Sequence, residues 1–237
     1  MTEEFKYPVR INKYLALQKV CARREADVFI AQGKVKINGR KANLGDKVNK
    51  DDKVVVEKLN KKLIYLAFNK PKGVITHSPQ MGEASIKDVI DFDKDVFPLG
   101  RLDKDSSGLI ILTNDGRITD RLLNPKYSHQ KEYIVKIKNS ITPSFLDKMA
   151  KGVMLEDGYI TKQCQVKKLS NNRFSIILTE GKKHQIRRMC DKLAQVISEL
   201  KRVRIMNIKL QSLVEGDYRE IKGLELDNFL KSLDLKN

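Results

Sequence analysis

Two aspartates stand two residues apart in GRLDKDSSGLIILTNDG, the stretch from Gly100 to Gly116. Asp103 and Asp105 precede Ser106, Ser107 and Gly108, and four apolar residues, Leu109 to Leu112, follow. Carboxylates so placed offer several kinds of chemistry. They could ligate a hard cation, form the acid and base pair of a glycosidase, or supply one catalytic carboxylate beside a strand. The bland alternative is a turn-capping aspartate. The order Asp103, Asp105, Ser107, Gly108 matches the first half of a calcium loop, but the twelfth position, where a bidentate Glu belongs, is Asn114. Such a loop also needs flanking helices. Pro98 and Gly100 oppose a helix before it, and the short, isoleucine-rich run after it reads as a buried strand.

Two further residue sets have the chemistry to accompany a carboxylate. In KEYIVKI, Tyr133, Val135 and Ile137 share one face of a predicted strand, where a core tyrosine is the simple reading. In GKKHQIRRMCDKL, Ile186, Met189, Cys190 and Leu193 make an apolar helix face. Arg187 lies off that face, four residues before Asp191, and an exposed ion pair would account for it. Taken singly, none of these sets specifies an enzyme.

The elements that would position them fall into two halves. Within residues 8–57, Ile11, Tyr14 and Leu15, then Ala26, Phe29 and Ile30, have helical spacing and predict two short helices. Val35 and Ile37 predict a strand, Asn38-Gly39 a turn followed by a second extended piece, and DDKVVVE a further strand. Arg10, Lys13, Lys19, Arg23 and Arg24 surround the helices. Residues 59–63 read as a polar linker. From residue 64 onward, IYLAFNKPKGVIT is an extended apolar run ending in a Pro/Gly turn, and strands predicted in LIILT, EYIVKIK, YITKQCQVKKL, RFSIILT and RVRIMNIKL alternate with helices in SIKDVIDF, SFLDKMAKGV and HQIRRMCDKLAQ. This is an α+β pattern with a mainly antiparallel sheet.

The chain's 237 residues carry a net charge of +17, which favours a polyanionic partner such as nucleic acid. No apolar run reaches the length of a membrane span, and the first residues lack a signal-peptide core. Three isolated cysteines without a C-x-x-C pair, and three histidines, suit reduced thiols in the cytoplasm and supply a zinc site poorly. There is no nucleotide-binding glycine loop. No metal and no cofactor are expected.

Residues 9–48 resemble an S4 domain, a small RNA-binding module, through the helix–turn–helix, R-R-E-A and G-x-V-x-x-N-G segments. Ala22 stands where that family often has Ser, a better helix N-cap. NKPKG at 69–73, GRLDKDSSG at 100–108, KEY at 131–133 and EGKKHQIRRM at 180–189 occur in that order. Together they resemble the pseudouridine synthases of the ribosomal branch that carries an N-terminal S4 domain. RIMNIKL looks most like the sub-branch acting on large-subunit ribosomal RNA. Near Ala194-Gln195 the family pattern expects Gly or an aromatic residue.

The resemblance implies an S4 domain over residues 1–58 and, over 64–237, a catalytic domain on a mainly antiparallel mixed sheet. It implies isomerisation of uridine to pseudouridine in ribosomal RNA, the 23S molecule first, leaving room for transfer RNA. A monomer is expected because the sequence has no heptad run or other dimer signal. It makes Asp103 the catalytic aspartate, Tyr133 the active-site tyrosine and Arg187 the arginine that pairs with the aspartate and keeps it charged. Leu200 would line the pocket. Arg10, Lys13, Arg23, Arg24, Lys34, Lys36 and Asn38 of the module, with Lys70, Arg101 and Arg188, are the expected RNA contacts. Two other readings remain open at this point. One is a glycosidase using Asp103 and Asp105 as its carboxylate pair. The other is a ribosome-associated RNA-binding protein with an inert second domain.

Overall fold

The computed structural model describes residues 6–18, 20–57, 62–92 and 96–235. Lys19 and linker residues 59–61 lie outside the described residues. The chain divides into two compact units: Met1–Ile64 with Asn114–Asp120, and Tyr65–Thr113 with Arg121–Asn237.

In the first unit, β1 (Val9–Arg10) leads directly into α1 (Ile11–Leu17), and α2 (Arg23–Ala31) follows. β2 (Val35–Ile37), β3 (Arg40–Lys41), β4 (Lys47–Val48) and β5 (Val54–Val56) complete it. The predicted apolar faces meet in one core: Ile11 and Leu15 of α1, Ala26, Phe29 and Ile30 of α2, and Val35 and Ile37 of β2. Ala22 is the N-cap of α2 and offers no side-chain hydrogen bond. A Cβ on Gly116 would lie 2.3 Å from the Ala22 methyl group, so this close approach requires glycine on one side.

The second unit is built on a nine-stranded sheet. In chain order its elements are β6 (Tyr65–Lys70), α3 (Ile86–Val89), β7 (Phe97–Leu99), β8 (Ser107–Thr113), α4 (Ile118–Leu123, which begins in the first unit), β9 (Lys131–Ile137) and α5 (Pro143–Lys151). β10 (Gln165–Lys168), β11 (Arg173–Leu178), α6 (Gln185–Lys192), β12 (Ile197–Ile205), β13 (Ile208–Lys209), β14 (Tyr218–Glu220) and α7 (Gly223–Ser232) follow. The strand order is β10-β11-β9-β12-β8-β6-β14, with β13 paired to β12 and β7 to β8. Among the described residues the β12–β8 pair is parallel and the other pairings in this sheet are antiparallel.

Burial on both faces explains the unbroken apolar run of β8: Leu109, Ile110, Ile111 and Leu112 have no more than 1% exposure. β11 instead alternates, burying Phe174, Ile176 and Leu178. α5 starts where the Thr142 hydroxyl accepts from the Phe145 amide at 3.2 Å, with Pro143 in its first turn, and it stops at Gly152. Phe145 and Met149 of α5 and Ile186, Met189 and Cys190 of α6 share a core with Val135 and Ile137 of β9. α6 ends in paired bonds from Ala194 N to Asp191 O and from Gln195 N to Cys190 O, both 2.9 Å, with Ala194 left-handed at φ +56°. That is a Schellman cap, which explains why glycine is expected there.

Candidate active site

The loop between β7 and β8 carries Asp103 and is pinned from several sides. The Thr76 hydroxyl donates to Leu102 O at 2.8 Å and accepts from Leu102 N at 3.1 Å. Gly73 N donates to Lys104 O at 2.8 Å, and Ser106 N closes a turn onto Asp103 O at 3.0 Å. NKPKG therefore buttresses GRLD through the residues just after it. The Asp103 side chain is left 37% exposed at a cavity of about 650 Å³.

Tyr133 and Leu200 line the same cavity, as do Arg101 and Arg202. Tyr133 pairs with Arg202, and Val135 with Leu200, across β9 and β12, so these four side chains share one face of the sheet. Register shifts on either side of Leu200–Arg202 bend β12 where it borders the cavity. His184 caps α6 in the left-handed conformation and places Nε2 3.6 Å from Asp103 Oδ1. Glu180 also lines the cavity, but it accepts from Tyr159 Oη, Gln185 Nε2 and Lys162 N at 2.6, 2.6 and 3.1 Å. Its oxygens are already engaged.

Two sequence expectations, for Arg187 and Lys70, require correction, and two further expected residues, Arg188 and Asn38, have partners within the fold. Arg187 does not ion-pair with Asp103 among the described residues. Its Nη2 donates to Asp105 O at 2.9 Å and to Ser106 Oγ at 3.2 Å, so it grips the turn beyond the aspartate. Lys70 cannot contact phosphate. It is 0% exposed, with Nζ donating to Pro71 O at 2.9 Å and Val74 O at 2.7 Å. Burial pushes its ammonium down to about 8, partly opposed by the Asp103 charge. Arg188 pairs with Glu156 and Asp157. Asn38 sits in the left-handed region of the β2–β3 turn, where its side chain donates to Asp52 and accepts from Lys53 N, both at 2.8 Å. Of the remaining module residues, Arg10, Lys13, Arg23 and Arg24 are exposed and Lys34 and Lys36 half-buried.

Asp105 does not line the cavity, so the two aspartates do not face a common substrate there, as a glycosidase pair would have to. The turn runs into strand β8, whereas a calcium loop would enter a helix. Sequence reasoning assigned no role to Arg202, Lys131, His184 or Thr76. The available signals were the arginine in KRVRI and the histidine directly before QIRR, and neither distinguishes a site from a surface.

Residues 64–192 match the family model for RNA pseudouridylate synthases, and residues 9–54 match the S4 domain. The chain belongs to the RNA pseudouridine synthases. The dual-specificity RNA pseudouridine synthase RluF of Escherichia coli (strain K12) is 39% identical over 232 residues, covering 95% of this chain and 80% of that one. Ribosomal large subunit pseudouridine synthase B of Bacillus subtilis (strain 168) is 35% identical over 231 residues, covering 92% and 93%. A crystal structure of a pseudouridylate synthase superposes with a TM-score of 0.69 at 27% identity, covering 95% of this chain and 99% of that one. The synthase is thus an RNA-modifying isomerase with an S4 RNA-binding module. None of its described helices is long and apolar enough to cross a membrane.

Proposed function

We propose that this synthase converts a uridine of large-subunit ribosomal RNA to pseudouridine in the cytoplasm, as a monomer, with Asp103 as the essential carboxylate. The observation that carries the reading is that Asp103, Tyr133 and Leu200 border one cavity. The large-subunit assignment rests on the B. subtilis relative's name and on RIMNIKL, and the dual specificity named for the E. coli relative makes transfer RNA the second substrate to test. In the proposed division of labour, residues 1–58 hold RNA backbone through Arg10, Lys13, Arg23 and Arg24, while 64–237 perform the chemistry.

A uridine must leave its helix to reach Asp103, and a cavity of about 650 Å³ has room for the flipped base. Extrusion costs a few kcal/mol, which phosphate contacts offset. The reaction breaks the bond from N1 to the sugar carbon, turns the base, bonds C5 to that carbon and releases the C5 proton, while N1 takes up a proton. Asp103 acts on the sugar or the base as nucleophile or base. Tyr133 stacks on the uracil and its hydroxyl is placed to assist the C5 proton. Arg187 positions the aspartate through the Asp105 carbonyl.

The test is tritium release from RNA carrying 5-tritiated uridine, using ribosomal RNA from cells that lack this protein, with transfer RNA as the second arm. Release by the native protein, lost in Asp103→Asn while RNA affinity is retained, is the expected result. Substantial release by Asp103→Asn would remove that residue from the mechanism. Tight binding without release on either RNA would favour the binding-protein reading.

A further inference from the structure

Arg202 is an arginine inside the sheet. It is 3% exposed, on the stretch of β12 flanked by Gly108 of β8 and Tyr133 of β9. Two of its three guanidinium nitrogens are fixed by main-chain carbonyls. Nε donates to Leu109 O at 2.7 Å, and Nη1 to Arg101 O at 3.3 Å, so the side chain is tied to the start of the loop that carries Asp103 and to the strand β8 that follows it. The third nitrogen, Nη2, is buried and has no hydrogen-bond partner among the described residues. Among the described residues no carboxylate forms an ion pair with this guanidinium. Its charge is felt by its neighbours: burial first, and Arg202 second, pushes the Lys131 ammonium down. A buried cation without a counter-ion, with one donor unsatisfied, is costly. Here it lines the cavity that also holds Asp103 and Tyr133.

The reaction supplies what this group lacks. When the bond from N1 to the sugar carbon breaks, its electron pair stays with the base, and the resulting charge spreads over the uracil carbonyl oxygens. If Asp103 instead attacks the base, the electrons are again pushed onto a carbonyl oxygen. Either way, negative charge grows on a uracil oxygen and is withdrawn when C5 bonds to the sugar carbon; C5 then loses its proton and N1 gains one. A fixed, desolvated donor aimed at that oxygen stabilises the transition state far more than it would in water. We propose that Arg202 is a further catalytic residue, whose Nη2 donates to a carbonyl oxygen of the flipped uracil and takes up the charge that forms there. This rests on the reading of Asp103 and its cavity as the synthase site. Phosphate of the target nucleotide is the other oxygen anion that a guanidinium could take.

The experiment first requires native turnover and an inactive Asp103→Asn control, so that failure of the site reading shows before Arg202 is tested. Arg202→Met is then compared with native protein in kcat, in KM at two salt concentrations, and on two RNAs, one with uridine and one with 5-fluorouridine at the target. Conversion is read by digestion and chromatography as loss of the N1-linked nucleoside; on 5-fluorouridine the C5-bonded product keeps its fluorine, which cannot leave as a proton does, and takes up water at C6. Fluorine stabilises the uracil anion by itself. The expected result is a kcat lower by about a hundredfold to a thousandfold on uridine, with KM and its salt dependence unchanged, and a smaller deficit on 5-fluorouridine. An effect confined to KM, with the salt slope reduced by about one, would replace the uracil contact by a phosphate contact. An equal deficit on both RNAs, or native kcat in a folded variant, would overturn the proposal. If Arg202→Met melts below the assay temperature, Arg202→Lys takes its place, keeping the charge but losing the fixed fork. Native kcat in that variant on both RNAs would likewise overturn it.

Discussion

A Cβ on Gly108 would stand 2.2 Å from the carbonyl oxygen of Arg202 and 2.7 Å from its nitrogen. The parallel pairing of β8 with β12 can close only because this residue has no side chain, and its φ of +107° excludes other residues independently. The glycine at the end of the GRLDKDSSG motif thus sets the distance between the aspartate loop and the strand bearing Leu200 and Arg202. Gly108→Ala should lose at least about 2 kcal/mol of stability, from backbone strain and the forced separation of two strands. Urea titration measures that loss. Turnover should fall well beyond the unfolded fraction, because Asp103 and Arg202 move apart.

The opposite change is expected at the end of α6. Ala194 holds a left-handed conformation inside a Schellman cap and carries the Cβ penalty that glycine avoids. Ala194→Gly should raise stability by about 1 kcal/mol with kcat unchanged. A melting temperature at or below the native value would show that the unfolded-state entropy of glycine cancels the relief.

Lys70 gives the stability a signature in pH. Burial holds its ammonium at about 8, below the ordinary 10.5. Between these values the unfolded chain binds the proton and the folded chain does not, so this group adds stability as pH rises through that window. Below about 8 both states are charged and the desolvation cost is borne in full. Stability of the native protein relative to Lys70→Met should therefore rise between about pH 8 and about pH 10, by up to about 3 kcal/mol across the full window. Parallel stability–pH curves for the two proteins would contradict it.

Why some of this was legible in the chain and some was not follows from what sequence encodes. Tyr133 and Val135 share the face expected of them because strand alternation fixes the side that a residue occupies, whatever the tertiary partner. The two helices of the first unit and α5 and α6 were readable from apolar spacing for the same reason. Charged residues carry no such marker. Lys70, Arg188 and Arg202 look alike in sequence, yet one bonds two carbonyls in the core, one is neutralised by Glu156 and Asp157, and one borders the cavity with an unsatisfied nitrogen. Those differences are set by long-range partners. α7 was missed because Leu226, Phe229 and Leu230 form a short stripe behind a glycine start.

The same distinction predicts how the cations divide between binding and structure. Arg23 and Arg24 are exposed on the first turn of α2, where their charges can meet phosphate. Arg188 already faces two carboxylates. Replacing Arg23 and Arg24 together by Gln should weaken RNA binding and reduce the slope of log K against log salt by about 0.7 to 0.9 for each phosphate no longer neutralised. The kcat at saturating RNA should stay near native, since neither residue lines the cavity. Arg188→Gln should leave the slope unchanged and instead lower the melting temperature slightly, because two exposed carboxylates are left without their partner. Filter binding at several salt concentrations separates the two outcomes. If Arg188→Gln reduces the slope as much as the Arg23 and Arg24 pair does, RNA must displace Glu156 and Asp157 from that guanidinium, and Arg188 returns to the set of residues that meet RNA.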